Sequence, residues 1–268
     1  MEHNSRPPYS RDRGGPQQRR YPVKPKKPAL DPSERLIIGL QPVREALRVH
    51  GASLHRVIVE QSESPTLEAL ARFATERGAK LERAPRADLD RYAERHQGVV
   101  AFAAPLTMHP FEPGDLGPTA LVLALDELED PQNFGAILRS AVALGADCIL
   151  WPENHSAPLS PATFRASAGA VEHAKLCRVP SLTSALDAAR EAGIQVIGLD
   201  MGGEQELGAL DLKGPVLLVV GAEGKGLRKP VKQRCTSLAR LPMAGPIGSL
   251  NASVAAALSL YEILRQRA

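Results

Sequence analysis

Apolar residues follow two patterns along this chain, and the change falls near residue 119. Before it, "ERLIIGLQPVREALRVH" spaces Leu36, Ile37, Leu40, Val43 and Leu47 like one face of a helix. Next, "HRVIVE" reads as a strand, "PTLEALARFATERG" as a helix and "AKLER" as a short strand. "RADLDRYAER" then reads as a helix and "QGVVAFAAP" as a closing strand. Residues 33–104 are therefore expected to form a small alternating α/β domain. Residues 105–118 show no periodicity and are rich in Pro and Gly, so they read as a linker. From 119 onward the apolar runs are nearly continuous: "ALVLALDE", "CILW", "QVIGLD", "PVLLVVG" and "LARLPM". Helical patterns separate most of them, namely "PQNFGAILRSAVALG", "SLTSALDAAREAG" and "LNASVAAALSLYEILRQR". Strands buried on both faces with helices between them imply a mostly parallel sheet over 119–268. Ligands of such sheets sit at the carboxyl ends of the strands.

Residues 1–32 break both patterns. They are rich in Pro, Arg, Gly and Gln and too poor in aliphatics to offset ordering entropy, so they read as a disordered arm. Residues 1–35 hold nine Lys/Arg against four Asp/Glu, an excess of five in a chain of net charge +3. Such an arm suits a nucleic-acid tether, through counterion release, or a solubilising tail with no partner. No apolar run is long enough to span a bilayer, and the N-terminus lacks the apolar stretch of a secretory signal. Cys148, Cys177 and Cys235 are far apart in sequence and form no CxxC pair. They read as small buried hydrophobes of a reducing, cytoplasmic compartment, with neither a zinc site nor a disulfide framework.

Three strand ends carry unusual chemistry. In "DPQNFGAILRSA", Asp130 and Pro131 are a helix cap and first-turn proline. Asn133 follows in the first turn and Arg139 about two turns on. Arg139 reads as a solvated helix arginine or, from its apolar flanks Leu138, Ala141 and Val142, as a site residue on a buried stretch. In "LVVGAEGKGL" an apolar strand ends at Gly221, with Glu223, Gly224 and Gly226 after it. The glycines allow positive φ and close backbone approach, or make a plain turn. A P-loop is excluded because Lys225 is followed by Gly226 rather than Ser or Thr, and the dinucleotide GxGxxG spacing also fails. In "LPMAGPIGSLNASVA" a Gly/Pro turn precedes Ser249, the expected cap of a helix beginning near Leu250. Asn251 and Ser253 then lie in its first turn. The small residues Ala252, Ala255, Ala256 and Ala257 make a face fit for tight packing, as at a subunit contact.

Together and in this order, the three stretches resemble the signature motifs of the SpoU/TrmH family of 2′-O-ribose RNA methyltransferases, within the SPOUT superfamily. The segment from "GLQPVREAL" to "HQGVVAFA" resembles the ribosomal-protein-like RNA-binding domain of the bacterial 23S rRNA guanosine methyltransferases of the RlmB type. The third motif departs at Gly248, where the family often has Ser. The resemblance implies an α/β fold whose C-terminal segment forms a trefoil knot. It implies S-adenosylmethionine as cofactor, held near Gly221, Leu241 and Leu250, and no metal. It also implies a homodimer with the C-terminal helix at the interface.

By the same resemblance, Asn133, Arg139, Glu223, Ser249 and Asn251 line the catalytic site. Arg139 either acts as a base or, since guanidinium keeps its proton, binds a phosphate or the developing alkoxide. Asn133 and Asn251 would orient the ribose or Arg139, and Glu223 would hold the loop or an RNA donor. In the first domain, Arg44, Arg48, His96 and Gln97 are candidates for RNA contact or are ordinary surface residues. The expected partner is RNA, 23S rRNA first. A tRNA substrate, or a silent RNA-binding assembly factor, is the alternative.

Overall fold

The computed structural model describes residues 31, 33–154, 156–157 and 159–268. The arm expected over residues 1–32 lies, Asp31 aside, outside the described residues.

The first unit runs β1 (Arg35–Ile38), α1 (Leu40–His50), β2 (Arg56–Glu60), α2 (Pro65–Glu76), β3 (Leu81–Ala84), α3 (Arg86–Asp90) and β4 (Val99–Ala103). Its sheet has the order β1-β4-β2-β3, with β2 and β3 parallel and β4 antiparallel to both neighbours. Alternation places Ile37, Val57, Val59, Val99 and Ala101 in one core with α1 and α2 residues. Leu36, Ile38, Ile58, Val100 and Phe102 enter a second core with Leu89 of α3. The helix expected from Leu36 thus begins only at Leu40. Leu36 to Ile38 alternate between the two cores as a strand does, and Gly39 at φ 99° turns the chain into the helix.

The second unit runs β5 (Leu121–Asp126), α4 (Pro131–Ala143), β6 (Cys148–Pro152), α5 (Pro161–Ala166), β7 (Leu176–Val179), α6 (Leu182–Glu191), β8 (Gln195–Leu199), β9 (Gln205–Glu206), β10 (Val216–Gly221), α7 (Lys229–Lys232), β11 (Ser237–Arg240) and α8 (Ala252–Arg267). Its seven strands lie in the order β7-β6-β5-β10-β8-β11-β9, every pair parallel. Leu121, Leu123 and Leu125 of β5 face one buried layer, with α4 and α8, while Val122 and Ala124 face another, with α6. This explains the continuous apolar runs. Strands β7 and β9 lie at the two edges and were not legible: one carries the exposed Arg178 in four residues, and the other is two residues long.

Gly135 lets α5 lie directly on α4. A Cβ there would stand 2.5 Å from Ala166 Cβ and 2.6 Å from the Thr163 carbonyl oxygen. Gly135→Ala is expected to lower unfolding stability by about 1–3 kcal/mol through overpacking, read by urea denaturation.

Ion pairs join the two units. Arg35 of β1 forks onto Glu172, with Nη1 2.7 Å from Oε1, and His50 Nε2 stands 2.8 Å from Glu172 Oε2. Glu45 of α1 meets Arg48 at 2.6 Å and His173 at 2.9 Å. Burial pushes the Glu45 carboxyl up, but its hydrogen bonds from Arg48 and His173 prevail and hold it below the ordinary value of 4.5. A depressed carboxyl stabilises the folded state fully above its unfolded value and loses that contribution as pH falls through the folded one. Acid unfolding below about pH 4.5 is therefore expected to be shallower in Glu45→Gln, as followed by circular dichroism.

Cys148 and Cys177 are not far apart in the fold. Parallel pairing of β6 and β7 places their buried Sγ atoms 2.8 Å from each other. Hydrogen bonding to its partner raises the Cys148 thiol and lowers that of Cys177. Burial pushes Cys235 up to about 12.

Candidate active site

Four neighbouring strands, β5, β10, β8 and β11, end on the same side of the sheet because all are parallel. The loops that follow β8, β10 and β11 build one cleft of about 410 Å³. Its walls are Leu199 to Met201 after β8, Val220 to Gly226 after β10, and Ala239 to Leu241 with Gly248 to Leu250 after β11. Gly221, Leu241 and Leu250, expected to hold a cofactor, all line it.

Local sequence chemistry fixes each loop. Asp130 caps α4 by accepting from the backbone N–H groups of Gln132 (3.2 Å) and Asn133 (3.0 Å), as expected. After β10 the chain turns back on itself, with Gly226 N–H donating to Ala222 O at 2.9 Å. Gly224 and Gly226 take φ of 76° and 65°. At Gly221 a Cβ would stand 2.3 Å from the backbone of Gly226, so only glycine fits. Asp126, wholly buried at the end of β5, receives the Arg228 backbone N–H at 2.8 Å and its Nε at 2.7 Å. That pairing pins the far end of the loop.

Beside the cleft, three of the expected residues meet. Asn133 Nδ2 donates to Glu223 Oε2 at 3.0 Å, and Asn251 Nδ2 donates to Asn133 Oδ1 at 2.9 Å and to Glu223 Oε2 at 3.1 Å. Glu223 thereby ties the loop after β10 to the starts of α4 and α8. The cap of α8 is Asn251, not Ser249: its Oδ1 accepts from Ser253 N–H at 2.9 Å. Helix α8 starts two residues later than a cap at Ser249 would place it, and Ser249 is left exposed on the cleft wall.

Arg139 does not join this cluster. It is exposed on α4, and no hydrogen bond or ion pair to it is found among the described residues. Its buried neighbours Leu138 and Ala141 point to the core, and the helix turns Arg139 away from them. The small face of α8 also points inward: Ala252 and Ala256 are buried in the core that contains α4. Val254, Leu258, Tyr261 and Leu264 form the outward ridge instead.

Two residues of the cleft had no signal in the sequence. Asp200 follows β8 and is ion-paired with Lys232 of α7. Only the sheet order, which brings β8 beside β10 and β11, places them there.

Of the four candidates in the first unit, Arg44 and Gln97 are exposed and share a groove. Arg48 is paired with Glu45, and His96 is wholly buried between Asp90 and the Gly98 N–H. His96 is a structural residue rather than an RNA contact.

The meeting of the three motifs at and beside one cleft has a counterpart in other proteins. Residues 120–261 match the family model of the SpoU rRNA Methylase family. The chain belongs to that family. Residues 36–109 match the model for RNA 2′-O ribose methyltransferase substrate binding. A relative from Mycolicibacterium smegmatis, named an uncharacterized tRNA/rRNA methyltransferase, is 39% identical over 242 residues, 87% of this chain and 76% of its own. The SpoU methyltransferase AviRb from Streptomyces viridochromogenes, solved with AdoMet, superposes with a TM-score of 0.73 at 29% identity, covering 88% of this chain and 91% of its own. An AdoMet-bound rRNA methyltransferase from Sinorhizobium meliloti gives 0.71 at 27% identity, covering 87% of each chain. Membership makes the protein an RNA methyltransferase with an α/β SPOUT-type catalytic domain behind a substrate-binding domain. Among the described residues no helix is long and apolar enough to cross a membrane.

Proposed function

We propose that this chain methylates a ribose 2′-hydroxyl of rRNA, a guanosine of 23S rRNA, using S-adenosylmethionine. The observation that carries the reading is that the second and third motifs line one cleft and the first joins them beside it, through the hydrogen bonds among Asn133, Glu223 and Asn251.

The cleft suits the cofactor. Gly221, Gly224, Gly226 and Gly248 leave bare backbone donors and acceptors, and Leu199, Val220, Leu241 and Leu250 offer apolar walls to a flat base. When bound, S-adenosylmethionine supplies an electrophilic methyl group on its sulfonium. Gly221, Leu241 and Leu250 would hold it. The one remaining amide hydrogen of Asn133 would orient the ribose, while Asn251, which spends both of its amide hydrogens on Asn133 and Glu223, holds Asn133 in place together with Glu223. Ser249 on the cleft wall would bond the sugar or its phosphate. Arg139 has no partner among the described residues, so its guanidinium would pair with RNA phosphate or the developing alkoxide. A threaded C-terminal trefoil knot fits the strand order, in which β8 lies between β10 and β11. It also fits the close wrap at Gly203, where a Cβ would stand 2.8 Å from the Leu238 carbonyl oxygen.

A homodimer completes the reading. Val254, Leu258, Tyr261 and Leu264 stand 45%, 46%, 56% and 43% exposed on one ridge of α8. Apolar side chains at this spacing on an open helix face suit burial against a second copy. Leu258→Lys is expected to shift the sedimenting species from two chains to one while leaving far-UV circular dichroism unchanged.

The presence of the substrate-binding domain favours rRNA, as does the name of the Sinorhizobium meliloti neighbour, which aligns over the same two units. The substrate is tested by incubating the protein with labelled S-adenosylmethionine and total RNA from cells lacking it, then separating the RNA by size. Label on 23S rRNA is expected. Label on tRNA alone would overturn the choice of substrate.

A further inference from the structure

The substrate-binding unit contains a second cavity, remote in sequence from the methyltransferase motifs. It is a groove of about 630 Å³ between the first turn of α1 and the stretch of α2 from Pro65 to Phe73, within the usual range of about 300–1,000 Å³ for ligand sites. Leu40, Leu70 and the half-buried Phe73 give it an apolar floor. Gln41, Arg44 and Gln97 stand at its polar edge, all exposed.

Two further observations bear on its use. Gln97 is held at φ 53°, a strained conformation for a residue with a side chain, and its Oε1 caps the Leu40 N–H of α1 at 3.0 Å. The amide nitrogen of the same side chain has no partner among the described residues, so it remains free to donate. Arg44 forms no ion pair or hydrogen bond among the described residues, whereas the neighbouring Arg48 is paired with Glu45. A free guanidinium, an aromatic floor and an amide edge together match the three parts of one unpaired nucleotide: phosphate, base face and base edge.

We propose that this groove receives one unstacked nucleotide of single-stranded RNA, with its base against Phe73, its edge at Gln97 and its phosphate on Arg44. The proposal rests on the RNA-methylating reading but concerns a site separate from the cofactor cleft. It makes the substrate-binding unit a reader of a looped-out base rather than of a duplex.

The test uses the full chain and a fluorescent, unmodified rRNA transcript, with binding measured by anisotropy over a range of salt. Ala69→Glu places a carboxylate inside the groove on exposed helix surface. It is expected to weaken binding at least about tenfold by repelling phosphate. Ala87→Glu adds the same charge on α3, across the sheet, and is expected to bind like the unaltered protein. Arg44→Gln is expected to reduce the slope of log affinity against log salt by about 0.7, the signature of one lost single-strand phosphate contact. A slope unchanged in Arg44→Gln, or equal loss in Ala69→Glu and Ala87→Glu, overturns the proposal. Methyl transfer by the unaltered protein is measured on the same transcript. RNA binding that depends on the groove, without methyl transfer, would sink the proposed function and leave the groove standing. Methyl transfer with groove variants that bind normally would do the reverse.

Discussion

Arg139→Ala is expected to lower kcat for RNA methylation by about 10²–10³-fold, the usual loss when one preorganised donor to developing charge is removed. The affinity for S-adenosylmethionine should stay within about twofold, because Arg139 does not line the cofactor cleft. Stability should also hold, since an exposed arginine on a helix, with no partner among the described residues, contributes little. Arg139→Lys separates the two chemical roles. A lysine keeps the charge but not the planar fork, so partial activity with an unchanged pH profile is expected of an electrostatic role. A profile shifted in pH with activity undiminished would instead reveal a titrating base.

Gly221→Ala is expected to raise the dissociation constant for S-adenosylmethionine by about 5–150-fold, as overpacking costs of about 1–3 kcal/mol imply at about 1.4 kcal/mol per tenfold. The added Cβ would stand 2.3 Å from the Gly226 backbone and 2.6 Å from Leu227 N, so the loop must move. That loop carries Glu223, which holds Asn133 and Asn251, so kcat should fall as well. Gly245→Ala is the control. It lies in the third motif, but nothing is within 4 Å of its added Cβ, and cofactor affinity should not change. Calorimetry on both variants checks the contrast.

Much of this architecture was legible in the sequence, for reasons particular residues illustrate. The run Leu121 to Leu125 is buried on both faces of a parallel sheet, so it reads as a strand with no alternation to interpret. Asp130 and Pro131 specify the start of α4 by local chemistry alone. Features decided by tertiary placement were not legible. Ser249 and Asn251 are both good caps, and only the path of the chain into α8 chooses between them. Leu36 to Ile38 fit a helical spacing as well as a strand, until two separate cores claim alternate residues. The flanks of Arg139 are buried, but residues adjacent on a helix point about 100° apart, and Arg139 faces outward. Cys148 and Cys177, 29 positions apart, meet only because β6 and β7 pair. Asp200 and Lys232 reach the cleft in the same way, through the sheet order. The alanines of α8 signalled close packing correctly, yet their neighbour is the chain's own core, and the larger residues take the open face.

The measurement that bears most directly on the central claim is the chemical form of the transferred methyl group. The protein is incubated with labelled S-adenosylmethionine and unmodified rRNA, and the RNA is then hydrolysed in alkali. A 2′-O-methyl group blocks cleavage at its own phosphodiester, so the label should appear in an alkali-resistant dinucleotide and be absent with Arg139→Ala. Label recovered in a mononucleotide, on the base, would contradict ribose methylation. Its absence from every RNA would contradict the activity itself.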